Sequence, residues 1–151
     1  MIGEWYTFDE LGKQQLYDIL ALRQRVFVLE QKSLYEDLDY LDQQAMHLLC
    51  KKNGVLAGYL RLFMPNVRYP NAASFGRVVA APGMRKTGVG KYIVSEAMQY
   101  FETQNIAEPI YISAQLYLQK FYETFGFVTD GDVYDEDGIP HIKMIYSRVT
   151  T

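Results

Sequence analysis

The sequence predicts an α/β protein in which a mixed sheet is covered by helices. Strand-like and helix-like patterns follow one another in the order β-α-(loop or helix)-β-β-β-α-β-α-β-β. Asn53-Gly54 between two apolar runs is a strong hairpin signal. Hairpins on one side and two strand–helix–strand crossovers on the other imply a mixed sheet. The 151 residues show no repeat and no linker, so one domain over 1–151 is expected.

Residues 4–8 read as a short strand. Asp9 is placed to cap a helix carrying Leu16, Ile19, Leu20, Val26 and Phe27 at helical spacing. Arg23 falls on the same stripe. Either its stem packs while its head snorkels to water, or it is a buried cation holding a carboxylate. The segment "SLYEDLDYLDQQ" (33–44) is acidic and irregular, as a solvated loop would be. "MHLLCKK" and "VLAGYLRLFM" are two strands, "NVRYPNA" is a loop, and "SFGRVVAA" is a third strand ended by Pro82. A helix from Gly88 to about Gln104 sets Val89, Ile93, Ala97, Met98 and Phe101 on one side. "PIYISA" is strand-like, and "LYLQKFYETFG" is a short helix ended by Gly126. "FVTDGDVY" and "IPHIKMIY" are two last strands around "DEDG".

Composition narrows the function. Apolar residues make up 49% and charged residues 22%, as in a globular protein. The net charge of -3 argues against nucleic acid as a partner. One cysteine, Cys50, and two histidines leave little for a metal site, so no metal is expected. No basic-then-apolar leader and no long apolar run is present, so neither a signal peptide nor a membrane span is expected, and the cytoplasm is the default compartment. Edge strands can pair between chains, which would give a homodimer.

"MRKTGVGKYIVSEAMQ" (84–99) places two glycines and three basic residues before a helix, which is anion-binding chemistry. A P-loop would need glycine at Arg85 and Ser or Thr at Tyr92. A dinucleotide turn would need glycine at Ile93 and an acidic residue about 20 positions on, where only Glu108 stands. A glycine-rich turn that merely starts a helix remains open.

"VVAAPGMRKTGVGKYIV" resembles the acyl-CoA-binding motif of the GNAT N-acetyltransferase superfamily, [QR]-x-x-G-x-[GA] after a strand. "AQLYLQKFYETFGF" (114–127) resembles its later segment, with Tyr122, Gly126 and Phe127 in place, Gln115 where Asn is usual and Leu118 where Ala is usual. "LRQRVFVLEQ", "YEDLD", "GRVV" and "YDEDGIPHIKM" are similar to the ElaA-like branch. The resemblance implies the GNAT-like acyl-CoA N-acyltransferase fold, a central twisted mixed sheet with helices on both faces. It implies acetyl-CoA as co-substrate. The backbone of Val78, Val79 and Ala80 would pair with the pantetheine arm. Arg85, Lys86, Thr87, Gly88, Val89, Gly90 and Lys91 would surround the pyrophosphate, and Gln115 and Phe121 complete the implied coenzyme contacts.

Acetyl transfer to an amine needs a proton acceptor, because an alkyl amine with a pKa of about 10.4 is mostly protonated at neutral pH. It also needs a donor for the leaving thiolate, and a tyrosine hydroxyl can serve. The resemblance gives that role to Tyr122; packing of a helix-face aromatic on the sheet is the other reading. The base is open among His141, Glu36 or Asp37, His47 and a water relay. If the 36–42 segment borders the acceptor pocket, the acceptor is a cationic amine. "RQRVF" also resembles acyl-homoserine-lactone synthases, which use S-adenosylmethionine. A non-catalytic acyl-CoA-binding module is the third reading.

Overall fold

The computed structural model describes residues 1–148; the last three residues of the expected 1–151 domain lie outside the described residues. Asn53 and Gly54 take φ of 53° and 78°, a pair of left-handed residues that closes a tight hairpin. It joins β2 (Met46–Lys52) to β3 (Val55–Phe63). β1 (Ile2–Thr7) lies antiparallel on the far side of β2, and β4 (Ala73–Ala80) antiparallel beside β3. The chain then crosses over through α2 (Val89–Thr103) to β5 (Ile110–Gln115), which runs parallel to β4. A short helical passage through α3 (Gln119–Glu123) leads to β6 (Val128–Thr129), β7 (Tyr134–Glu136) and β8 (Ile139–Tyr146). The sheet order is β1-β2-β3-β4-β5-β8-β6, with β7 also paired to β8. The expected mixed sheet is therefore present.

Strand alternation assigns the two faces. Leu48, Leu60, Leu62 and Phe75 pack with Ile93, Ala97 and Phe101 of α2. Leu49, Tyr59 and Val79, their neighbours in sequence, pack instead with Ile19 and Leu22 of α1 (Lys13–Arg23). Helices thus cover both faces. At Gly58 the approach of α2 leaves no room for a side chain: a Cβ would lie 2.5 Å from Val89 Cγ1 and 3.2 Å from the Val79 carbonyl oxygen. Gly58→Ala is expected to cost about 1–3 kcal/mol by overpacking. Urea unfolding of the variant beside the wild type checks it.

Three expectations change. Asp9 does not cap α1; Gly12 does, its N–H donating to Gln15 Oε1 at 2.8 Å. The helix does not continue as α through Val26 and Phe27. Residues Gln24–Glu30 form π-helical turns, with Gln31 N–H bonded to the Val26 carbonyl five residues back. The wider turn keeps Val26 and Phe27 in the cluster that Leu22 enters. "FVTDGDVY" is two short strands, because β8 is long enough to pair with both.

The acidic segment is not a solvated loop. Asp37 and Asp42 are buried, and three arginines hold it. Arg23, 0% exposed, reaches Asp37 Oδ2 at 2.9 Å and Asp42 Oδ1 at 2.8 Å. Arg61 of β3 binds Asp39 at 2.6 Å and Asp42 at 2.9 Å, and Arg77 of β4 lies 2.8 Å from Asp37. Arg23 is thus the buried cation holding carboxylates. Burial alone would raise the Asp39 carboxyl, but the hydrogen bonds and charge of Arg61 outweigh it and hold it well below its ordinary 3.8. With the folded value depressed, the stabilisation is present above the unfolded value and is lost as pH falls below it. Urea midpoints measured from pH 7 downward should therefore drop through the acid range, and Asp39→Asn should flatten that drop.

Candidate active site

β4 and β5 pair only at Ala73–Ile110 and Ser74–Tyr111. Beyond Ser74 they part. The cause lies in β4, where Arg61 opposes Gly76 but Tyr59 opposes Val79, so β4 carries one extra residue. Arg77 in this bulge has a φ of 49°, and bulges of this kind bend and twist the strand that carries them. The parted strands open a cleft of about 720 Å³, within the range of small-molecule sites. Val78 and Ala80 line it from β4, and Ile112, Ser113 and Gln115 from β5. The β4 backbone beyond Ser74 has no β5 partner, so its polar groups on that side can pair with an extended ligand. Val79 is not among the lining residues, and its side chain is buried on the α1 face.

The loop before α2 forms another wall. Gly88 caps α2 with a φ of 87°, a conformation that suits glycine. A Cβ at Gly88 or Gly90 would meet nothing within 4 Å, so the backbone there is open to a ligand. The first N–H groups of α2 have no intrahelical partners. Arg85, Lys86, Val89 and Lys91 line the same cleft. Thr87 is not among the lining residues; its hydroxyl donates to the Met84 carbonyl and shapes the loop. Arg85 is ion-paired with Glu30, and Gln115 Nε2 donates to Gln31 Oε1 at 3.3 Å. Ser33 Oγ donates to the Asp137 carbonyl at 2.5 Å. Residues 30–33 thus tie the loop before α2, the end of β5 and the β7–β8 turn together.

Tyr122 lines the cleft and is 5% exposed. Its ring meets Phe121 at 5.1 Å, Phe127 at 6.1 Å and Phe75 at 6.2 Å, so it also packs as a helix-face aromatic does. Burial pushes its hydroxyl far above the ordinary value of 10.0, which keeps the phenol protonated and able to donate. Phe121 lines the cleft beside it.

On the β7–β8 hairpin, His141 and Ile139 also line the cleft. His141 Nδ1 lies 2.8 Å from the Ile139 carbonyl, Nε2 lies 3.1 Å from Glu136 Oε2, and Tyr134 stacks on the ring at 6.1 Å. Ser113 Oγ is bonded to the Tyr134 hydroxyl and donates to Glu136 Oε1 at 3.2 Å. Glu36 is elsewhere: it is exposed and borders a separate hollow with Leu20, Val28 and Leu38. Asp37 is occupied by Arg23 and Arg77. His47 is buried between Tyr59 and the Asp42 carbonyl, outside the cleft. Sequence reasoning missed Glu136. The signal was Asp137-Gly138, a hairpin turn that pairs Glu136 with Ile139 and Tyr134 with His141.

A parted pair of strands, a helix N-terminus beside basic side chains and a buried tyrosine thus share one cleft. Residues 9–148 match the acetyltransferase (GNAT) domain family, and the chain belongs to it, in the branch of ElaA. A UPF0039 protein of Synechocystis is 43% identical over 94% of this chain and 92% of its own length. ElaA of Escherichia coli is 37% identical over 93% of this chain and 94% of its own, and its crystal structure covers 97% of this chain and all of that one with a TM-score of 0.87. An acyl-CoA N-acyltransferase of Pseudomonas aeruginosa, 38% identical, covers the same shares with a TM-score of 0.89. Two solved acetyltransferases of this fold, each 14% identical to this chain, contain coenzyme A. Among the described residues no helix is long and apolar enough to cross a membrane.

Proposed function

We propose that the chain works as one N-acetyltransferase domain that moves the acetyl group of acetyl-CoA directly onto an amine. The observation that carries this reading is the cleft itself, which brings Tyr122 together with the parted strands and the Gly88–Gly90 loop. The pantetheine arm runs along the free edge of β4 at Val78–Ala80, and the pyrophosphate sits on the amides from Lys86 to Lys91. Tyr122 gives its proton to the departing thiolate. The acceptor enters beside Ser113, Tyr134 and His141. The charge that would favour a cationic acceptor is on the β7–β8 hairpin, because Asp37, Asp39 and Asp42 are matched by Arg23, Arg61 and Arg77 and Glu36 borders the separate hollow. Of the Arg23–Phe27 element that suggested a lactone synthase, Arg23 is fully enclosed by that network and absent from the cleft lining, whereas Phe27 lines the cleft.

The test is a panel of amines and peptide amines with acetyl-CoA, read by free thiol and product mass, with S-adenosylmethionine as a separate arm. Thiol release matched by an acetylated amine is the expected result. Tight acetyl-CoA binding without transfer to any amine would leave a binding module instead.

A further inference from the structure

Both ring nitrogens of His141 face oxygens that only accept, the Ile139 carbonyl and the Glu136 carboxylate. Each nitrogen is therefore engaged within the hairpin, and neither is turned to an incoming acceptor. Glu136 is the group with accepting capacity. Its side chain is 46% exposed, it lines the cleft, and its two oxygens are steadied by His141 and Ser113. Its one ion-pair neighbour among the described residues is the His141 ring. Of the carboxylates that line the cleft, Glu30 is paired with Arg85, whereas Glu136 and Asp137 have no arginine or lysine partner among the described residues.

Resting on the acetyltransferase reading above, we infer that Glu136 is the catalytic residue for the acceptor: it draws a protonated primary alkyl amine into the cleft and takes its proton. His141 and Ser113 are positioning residues that hold the carboxylate. The proton balance is complete without another reagent. The ammonium gives one proton to Glu136, which passes it to solvent, and the freed nitrogen forms a bond to the thioester carbon. On collapse the carbon–sulfur bond breaks, and Tyr122 gives its proton to sulfur. The nitrogen then loses its second proton, which replaces the one Tyr122 gave. The products are an N-alkyl acetamide, coenzyme A thiol and one released proton.

The experiment uses the full chain as its coenzyme A complex and titrates 1,4-diaminobutane, lysine amide and 2-phenylethylamine by calorimetry, then follows their turnover with acetyl-CoA. Glu136→Gln keeps the shape and removes the charge. It should weaken binding of the amines about tenfold or more, as loss of a charged hydrogen bond does. It should lower kcat/KM about 100-fold, while the acetyl-CoA Kd stays within about twofold. Glu136→Asp should recover part of kcat/KM, which a purely structural role of the hairpin would not produce. His141→Gln should raise KM for the amines more than it changes acetyl-CoA affinity. Unchanged amine binding and turnover in Glu136→Gln would overturn the inference. So would a wild-type complex that binds coenzyme A but none of the three amines, and that outcome leaves the donor site standing. A chain that binds no coenzyme A at all overturns the acetyltransferase reading with it.

Discussion

Tyr122→Phe is expected to lower kcat about 100-fold, a barrier increase of about 2.7 kcal/mol, and to leave acetyl-CoA affinity nearly unchanged. The hydroxyl is the only atom removed. The ring stays among Phe75, Phe121 and Phe127, so the aromatic packing that fixes α3 against the sheet is retained. The donor, as proposed above, binds on the β4 edge and the Lys86–Lys91 loop, neither of which the substitution touches. A loss confined to the thiolate's departure lowers kcat and kcat/KM together without a matching change in Kd. Steady-state rates with the best amine of the panel, set beside a coenzyme titration of the same variant, separate the two quantities. A variant with wild-type kcat would remove Tyr122 from the reaction and leave it as packing alone. A thiol of higher acidity than coenzyme A as leaving group should reduce the defect, because a better leaving group needs less help from a proton donor.

Local features of the site were legible in the sequence where one short segment carries both the structure and the chemistry. Gly88 and Gly90 at the start of an amphipathic helix specify a turn, a helix start and an open backbone within a few residues. Asn53-Gly54 did the same for the hairpin, and the alternation of "IPHIKMIY" gave β8 with its bounds. The features that escaped are those settled between distant segments. Asp37, Asp39 and Asp42 read as a solvated run because the sequence shows their charge but not Arg61 and Arg77, which come from two later strands. Glu136 escaped because β7 is three residues long and has no periodicity of its own; β8 determines which way its side chains point. The π-helical turns at Gln24–Glu30 escaped because one extra residue per turn still leaves an apolar pattern close to a helical one. Glu36 and Asp37 are adjacent in sequence, yet one is exposed beside a separate hollow and the other is locked to two arginines.

Arg23→Ala is expected to destabilise the fold by about 3–5 kcal/mol at neutral pH, because it leaves Asp37, Asp39 and Asp42 with two cations, Arg61 and Arg77, and one excess charge in a largely buried network. For a chain of this size that corresponds to a fall in Tm of about 6–20 °C. The guanidinium donates to Asp37 Oδ2, to Asp42 Oδ1 and to the Asp37 carbonyl, and none of these partners can turn to water where it stands. The cost comes mainly from the stranded groups rather than from the lost attraction, which gives the prediction a second arm. Adding Asp42→Asn to Arg23→Ala removes the one excess negative charge and leaves two arginines facing two aspartates, so the double variant should be more stable than the single one. If the arginine mattered only through the packing of its stem, Arg23→Met would restore stability and the asparagine would not. The effect should extend to the cleft, because Asp37 also binds Arg77 on the β4 bulge that parts β4 from β5. Loss of Arg23 should therefore weaken acetyl-CoA binding under conditions where the variant is still folded. Thermal unfolding with and without saturating acetyl-CoA measures both consequences: the ligand should raise the Tm of Arg23→Ala less than that of the wild type.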